Sequence, residues 1–463
     1  MKYWPFIFGI VLLAGCARFQ PEPISATQTA ARFEQRSVTD EALRQYTETN
    51  LQRVFQTWPP ATWDLETLTL AAFYFNPDLA VTRANYDSVA AGKITAAQRP
   101  NPTVSVSPVY NTTTAVPSPW LVTASLDVPI ETAGKRGYRR AQAQHLSDAA
   151  RFGLATAAWE VRTQLRRALL ELWAAQASES LLRMQQIAQE SIVHLLEKEQ
   201  AAGGISPAEV TRERIALEQT RLAWLDAESR RAQTRVQLAG VIGLTPRALD
   251  DVTISFEVFD QPPPELPTVD ARRRALYNRT DILGALAAYA ANESVLQLEI
   301  AKQYPDVHLS PGYEFDQGNN KWGVGLSMEL PILNHNRGPI AEAEARRAES
   351  AAKFNALQAR VFGEIEIALA RSENARHKFA AAAGLVEQSQ KQERATMAMF
   401  KAGEVSSQAV AAAKLEKATA ALAQLDARMK AQQAVTALEA ALQSPLELPT
   451  SLLAPPTSQS HRP

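Results

Sequence analysis

The sequence predicts a mainly α protein with a small β part, in which duplicated long-helix coiled-coil hairpins alternate with two β-hairpins. Three observations predict it. The stretch Asp78 to Tyr110 returns without a gap as Asp281 to Tyr313, 203 positions later. The match continues through Asp127-Val128-Pro129-Ile130 and Glu329-Leu330-Pro331-Ile332, as far as Leu225-Asp226-Ala227 and Leu425-Asp426-Ala427. Each copy also holds a run of some 65 residues without an interior proline, and two shorter runs in which the hydrophobic period drops from 3.6 to 2. A unit duplicated at this scale marks a tandem structural array.

The duplication divides the 463 residues. Residues 1–15 read as an export signal and 16–63 as an N-terminal segment. The first repeat takes 64–245, a linker 246–266 and the second repeat 267–446, and a Pro/Ser-rich tail from 447 to 463 is expected to be disordered. In the signal, Lys2 precedes the apolar run Trp4 to Leu13, which is too short to span a bilayer as a helix. Leu13-Ala14-Gly15-Cys16 follows and resembles a bacterial lipobox. That resemblance makes Cys16 the lipid attachment point and, with Ala17 after it in place of Asp, sorts the chain to the outer membrane. One lipid group anchors weakly, so a second membrane element is expected. Cys16 is the only cysteine, which excludes an internal disulfide.

Between Ala30 and Phe55 there is room for one or two short helices. Trp63 to Phe75 predicts another, ended at Asn76-Pro77 because proline disfavours helical geometry in the residue before it. Asp78 is expected to cap the next helix, which runs to about Gln98 and stops at Arg99-Pro100-Asn101-Pro102. Two strands follow. Val104, Val106, Pro108 and Tyr110 oppose Thr103, Ser105 and Ser107; Trp120, Val122, Ala124, Leu126 and Val128 oppose Thr123, Ser125 and Asp127. In the second copy Val307, Leu309, Pro311, Tyr313 and Phe315 oppose His308, Ser310, Gly312, Glu314 and Asp316. Trp322, Val324, Leu326, Met328 and Leu330 oppose Gly323, Gly325, Ser327 and Glu329. Such alternation, with aromatics near the loops, fits a transmembrane β-barrel. Four strands cannot close one, and a bilayer tolerates no open sheet edge, so several chains must share it.

The longest helix is expected from Tyr138 to Ala202, with its counterpart from Gly338 to Ala402. Ala158, Leu165 and Leu172 recur every seven residues, as do Val161, Ala168, Ala175 and Leu182, which is a coiled-coil seam. At ~1.5 Å per residue each rod is roughly 95 Å long. Gly203-Gly204 and Gly403 end the rods, and Ser206 and Ser406 open returning helices that reach about Gly240 and Leu442. A short helix and a returning helix, end to end, nearly match one rod.

A net charge of −1 gives no electrostatic reason to bind nucleic acid. No Ser-His-Asp order, phosphate loop or metal-spaced cluster is present, so neither an enzyme nor a bound cofactor is expected. The six histidines are scattered, and Met397 and Met399 read as helix packing.

Helix, strand pair, long helix, glycine turn and returning helix, twice over, resemble the TolC-like outer-membrane efflux proteins of the lipoprotein type. The resemblance rests on the duplication, the Asp-Val-Pro-Ile and Glu-Leu-Pro-Ile strand ends, the Gly-Lys-Arg and Asn-Arg-Gly turns, and the two Gly-x-x-Ser turns. It implies a homotrimer with a periplasmic α-barrel tunnel and a 12-stranded β-barrel in outer-membrane lipid. It also implies passive conduction of small molecules or metal ions, as the exit duct of a tripartite pump with a periplasmic adaptor and an inner-membrane transporter, of RND type by preference. The tips Gly203, Gly204, Ile205, Ser206 and Gly403, Glu404, Val405, Ser406 then meet the adaptor. Glu209, with Arg212 and Arg214 beyond it, becomes the gate candidate, although Ala409 and Ala412 stand at the matching places of the second copy. The alternative is a periplasmic adaptor or a coiled-coil structural lipoprotein, which would show one helical hairpin in a β-rich chain.

Overall fold

A computed structural model describes residues 18–112, 117–262 and 269–446; the export signal, Cys16 and the tail from 447 lie outside the described residues. Two short helices, α1 (Ala26–Glu34) and α2 (Glu41–Leu51), precede the first repeat. That repeat contains α3 (Leu65–Phe75), α4 (Pro77–Ala97), β1 (Thr103–Tyr110), β2 (Trp120–Ile130), α5 (Lys135–Ala201) and α6 (Pro207–Ile242). The linker holds a 3-10 turn at Pro246–Leu249 and α7 (Glu257–Asp260). The second repeat contains α8 (Val269–Asn278), α9 (Thr280–Ala301), β3 (Val307–Asp316), β4 (Asn319–Met328), α10 (Arg337–Lys401) and α11 (Ser407–Leu442).

Two local starts differ from the sequence expectation, and both follow from capping. Trp63 is not helical. Its backbone bridges to the linker, with Trp63 N–H donating to Thr253 O and Ser255 N–H to Trp63 O, both at 2.8 Å. The helix begins one residue beyond Asp64, which forms a reciprocal capping box with Thr67. Asp78 does not cap α4 either. Asn76 closes α3 and opens α4, accepting from Leu79 N–H at 3.1 Å, with Pro77 in the first turn. Asp78 sits within that turn, where its charge favours the helix dipole.

The rods α5 and α10 have 67 and 65 residues. Along each lie two partners end to end, α4 and α6 on α5, and α9 and α11 on α10, as the lengths predict. α5 also packs on α9 and α11 and so joins the repeats, leaving α6 and α10 at the outer edges of the helical layer. The core lies where α5 crosses α3 and α6. The heptad residues Leu165, Ala168 and Leu172 are buried there with Leu68, Ala71, Leu238 and Ile242. The linker belongs to this core. Phe259 is fully buried, its ring 5.9 Å from that of Trp173. The N-terminal segment clamps the same region, because Arg36 donates to Phe75 O and Gly243 O at 3.0 and 2.9 Å.

The four strands form one antiparallel sheet in the order β1-β2-β3-β4. Most pairs in the ladders join like with like. Pro108 faces Val122, Ala124 faces Tyr313, and Leu309 faces Leu326 on one side; Ser105 faces Ser125, Thr123 faces Glu314, and His308 faces Ser327 on the other. A one-residue slip would invert every side chain, so alternation limits the register to even steps. β4 differs from expectation at both ends. It starts at Asn319 because Gln317 and Gly318, both with positive φ, make a two-residue hairpin turn. It stops at Met328, so Glu329 and Leu330 lie beyond it.

Candidate functional site

The rods end in the same way. In the first, Gly204 N–H donates to Glu199 O and Gly203 N–H to Gln200 O, each at 2.9 Å. In the second, Glu404 N–H donates to Met399 O at 2.9 Å and Gly403 N–H to Phe400 O at 3.0 Å. These are Schellman closures, which need a left-handed residue after the last helical one. Gly203 and Gly403 supply it with φ of 78° and 79°. A Cβ at either would meet nothing within 4 Å, so glycine is required here by conformation and not by space.

After each turn, Ser206 and Ser406 occupy the N-cap positions. Ser406 Oγ accepts from Ala409 N–H at 3.3 Å, whereas the Ser206 side chain makes no capping bond and its carbonyl alone accepts from Glu209 N–H. Ile205 and Val405 are half-buried, while Gly203, Gly204, Ser206, Gly403, Glu404 and Ser406 are exposed. Ile205 packs on Ile192, Leu196 and Val210, and Ala411 of the other repeat joins that cluster. The structure therefore brings the two tips together at one end of the molecule.

Glu209 and Arg212 are exposed on α6 and make no ion pair among the described residues. Arg214 does, donating through Nε to Glu197 at 3.0 Å. Glu209 lies in the first turn of α6, where a carboxylate suits the helix N-terminus. Two similar cross-helix bonds sit farther from the tip: Gln189 donates to Glu213 and Gln392 to Glu416, both at 2.7 Å. Between α5 and the second hairpin runs a groove of about 700 Å³, lined by Met184, Ile187, Met397, Phe400, Val410 and Lys414. Met397 thus lines a groove wall, and Met399 is largely exposed.

At the opposite end of the rods, the turn after β2 is tied to the turn before β3. Lys135 Nζ donates to Tyr304 O at 2.7 Å and to Asp306 Oδ1 at 2.8 Å. Thr132 N–H donates to the same carboxylate at 2.9 Å. Burial opposes ionisation of Asp306, but these donors outweigh it and hold its carboxyl below the usual carboxylate range. Sequence reasoning missed this knot, together with a buried cluster on α5 and α11. There Arg162 meets Glu439 at 2.9 Å, and Arg166 meets Thr436 and Gln432 at 3.2 and 3.3 Å. Each of these hydrogen bonds joins residues some 270 positions apart, a separation with no local signature.

No described helix is long and apolar enough to cross a membrane, and the sheet gathers Val104, Val106, Val122, Val324 and Leu326 on one face. Fold and site together define a long-helix duct carrying a strand sheet. The family model for outer membrane efflux protein matches residues 72–244 and 271–443, once per repeat. The chain belongs to that family and is an outer-membrane exit duct of an efflux pump. It is 24% identical over 307 residues to the cobalt-zinc-cadmium resistance protein CzcC of Cupriavidus metallidurans, covering 66% of this chain and 71% of the relative. Among solved structures it resembles CusC, with a TM-score of 0.67 at 18% identity, covering 84% of this chain and 95% of that one. It also resembles the outer membrane protein VceC of Vibrio cholerae, with a TM-score of 0.66 at 20% identity, covering 84% and 100%.

Proposed function

We propose that three copies of this chain close a 12-stranded barrel in the outer membrane and a helical tunnel beneath it, and that an adaptor seats on the tips. The observation that carries this reading is the pair of identical, exposed tip closures placed side by side at the end remote from the sheet. The sheet supports it, since its outer strands β1 and β4 leave two unpaired edges that a bilayer cannot accept. Lipid on Cys16 adds a second attachment to the membrane. An inner-membrane transporter, of RND type by preference, supplies the energy, and no cofactor is needed by a passive conduit. The CzcC likeness directs the cargo towards metal ions, with other small molecules as the alternative.

Glu209 is the gate residue in this reading. Three copies form one anionic ring, with Arg212 one turn farther along the same helix; no second ring arises from Ala409 and Ala412. The test joins tip and gate. Gly403→Trp should assemble normally but lose adaptor crosslinking and export, because the turn it enlarges is the seat. Normal crosslinking and export by that variant would remove the tip assignment. Glu209→Gln should weaken divalent-cation block of the isolated channel, and unchanged block would remove the gate.

A further inference from the structure

The internal repeat predicts more than the shape of each half. We infer that the seam between β2 and β3 inside the chain is a copy of the seam between β4 of one chain and β1 of the next, and that it fixes the register there residue by residue. This rests on the barrel reading above, which says that chains meet but not how.

The repeat shift can be checked within the chain first. It moves β1 residues by 203 positions and β2 residues by 202. Applied to the β1–β2 pair Tyr110↔Trp120 it gives Tyr313↔Trp322, and Pro108↔Val122 gives Pro311↔Val324; both are pairs of the β3–β4 ladder. The turns into the rods obey it too, since Ala133 and Gly134 have positive φ, as do His335 and Asn336. The shift therefore carries observed residue pairs onto observed residue pairs.

Applied to the β2–β3 ladder, the same shift leaves the chain. Ala124↔Tyr313 becomes Leu326 opposite Tyr110 of a second copy, and Ser125↔Gly312 becomes Ser327 opposite Val109. Val128↔Leu309 becomes Leu330 opposite Val106, and Ile130↔Val307 becomes Ile332 opposite Val104. The large apolar side chains fall on one face, as a lipid-facing seam requires. Two features of the single chain agree. β2 runs to Ile130 because β3 pairs with it there, whereas β4 stops at Met328 and leaves Leu330 and Ile332 exposed. All of β1 and β4 is exposed.

The polar knot shifts as well. Lys135, held by Tyr304 O and Asp306, corresponds to Arg337, whose side chain has no partner among the described residues. Its counterpart contacts are the Asn101 carbonyl and Thr103 of the second copy. Asp127, which accepts from Ser310 at 3.1 Å, corresponds to Glu329 opposite Ser107.

Paired cysteines test the register in the full-length protein in detergent. Within one chain β1 and β4 lie about 14 Å apart at ~4.8 Å per strand, beyond disulfide reach, so any bond must join chains. Val109→Cys with Ser327→Cys should give covalent dimers and trimers that disappear on reduction, and so should Ser107→Cys with Glu329→Cys. Ser105→Cys with Ser327→Cys, on the same face but four residues out of register, should give none. A trimeric particle in which both in-register pairs stay reduced, or in which the offset pair crosslinks instead, overturns the register and leaves the trimer standing. A monomeric particle overturns the trimer itself, and the register with it.

Discussion

The two repeats share a backbone and differ in chemistry. Their returning helices both have 36 residues, and their rods end in the same turn. Yet Arg162, Arg166 and Glu439 are buried, whereas the 200-position shift that relates the rods and the returning helices places Phe362 and Glu366, both exposed, and Ala239, which is buried, at the matching positions. The repeat therefore does not reproduce these three buried charges. They add a constraint, because removing a partner from a buried ion pair strands the remaining charge in a medium that solvates it poorly. The tips diverge in the same manner, with Glu209 and Arg212 in one repeat and Ala409 and Ala412 in the other.

The largest expected effect follows from this contrast. Glu439→Ala leaves Arg162 and Arg166 without their carboxylate and should cost about 3–5 kcal/mol in denaturant unfolding. Combining it with Arg162→Leu and Arg166→Leu removes the stranded charges and should return stability towards the parental value. A triple variant as unstable as the single one would show that the stranded charges are not the cause of the loss.

The strands give the next effect. Ala124→Arg and Leu326→Arg occupy matching places on the apolar face, and each should cost about 2–4 kcal/mol near the bilayer midplane. Ser125→Arg and Ser327→Arg on the opposite face should fold and alter conductance. Equal behaviour of the two faces would break the assignment of lipid and lumen.

Smaller still, Gly203→Ala and Gly403→Ala should each cost roughly 1–2 kcal/mol, because both put a Cβ on a left-handed residue with open space around it. Equal losses support two equivalent tips, and a loss at one alone separates them.

The smallest effect is a pH dependence. Asp306 is held below its usual range, so its contribution is fully present above the unfolded value of about 3.9 and fades as pH falls through the lower folded value. Asp306→Asn should be less stable than the parent at neutral pH, and the difference should shrink on acidification below about pH 4. A constant difference would place the knot's strength elsewhere.

Much of this architecture is legible in the residues. The rods begin and end within about three residues of where proline-free runs and glycines place them, and the strand faces follow from alternation. The misses share a cause. Asn76 outcompetes Asp78 as a cap because Pro77 already fixes the first turn, a choice between neighbours that composition does not settle. Phe259 reads as one aromatic in a proline-rich linker, and only packing against Trp173 reveals it as core. β4 stops at Met328 because its partner β3 begins at Val307, opposite it, and alternation in the sequence does not show where a partner ends.

The claim that most depends on all of this is that one chain is a third of a duct. The mass of the detergent-solubilised protein, with detergent subtracted by light scattering and refractive index, measures it directly. Three chains, each 50.7 kDa before any N-terminal processing, are the predicted result. A monodisperse monomer with its full strand content would contradict it.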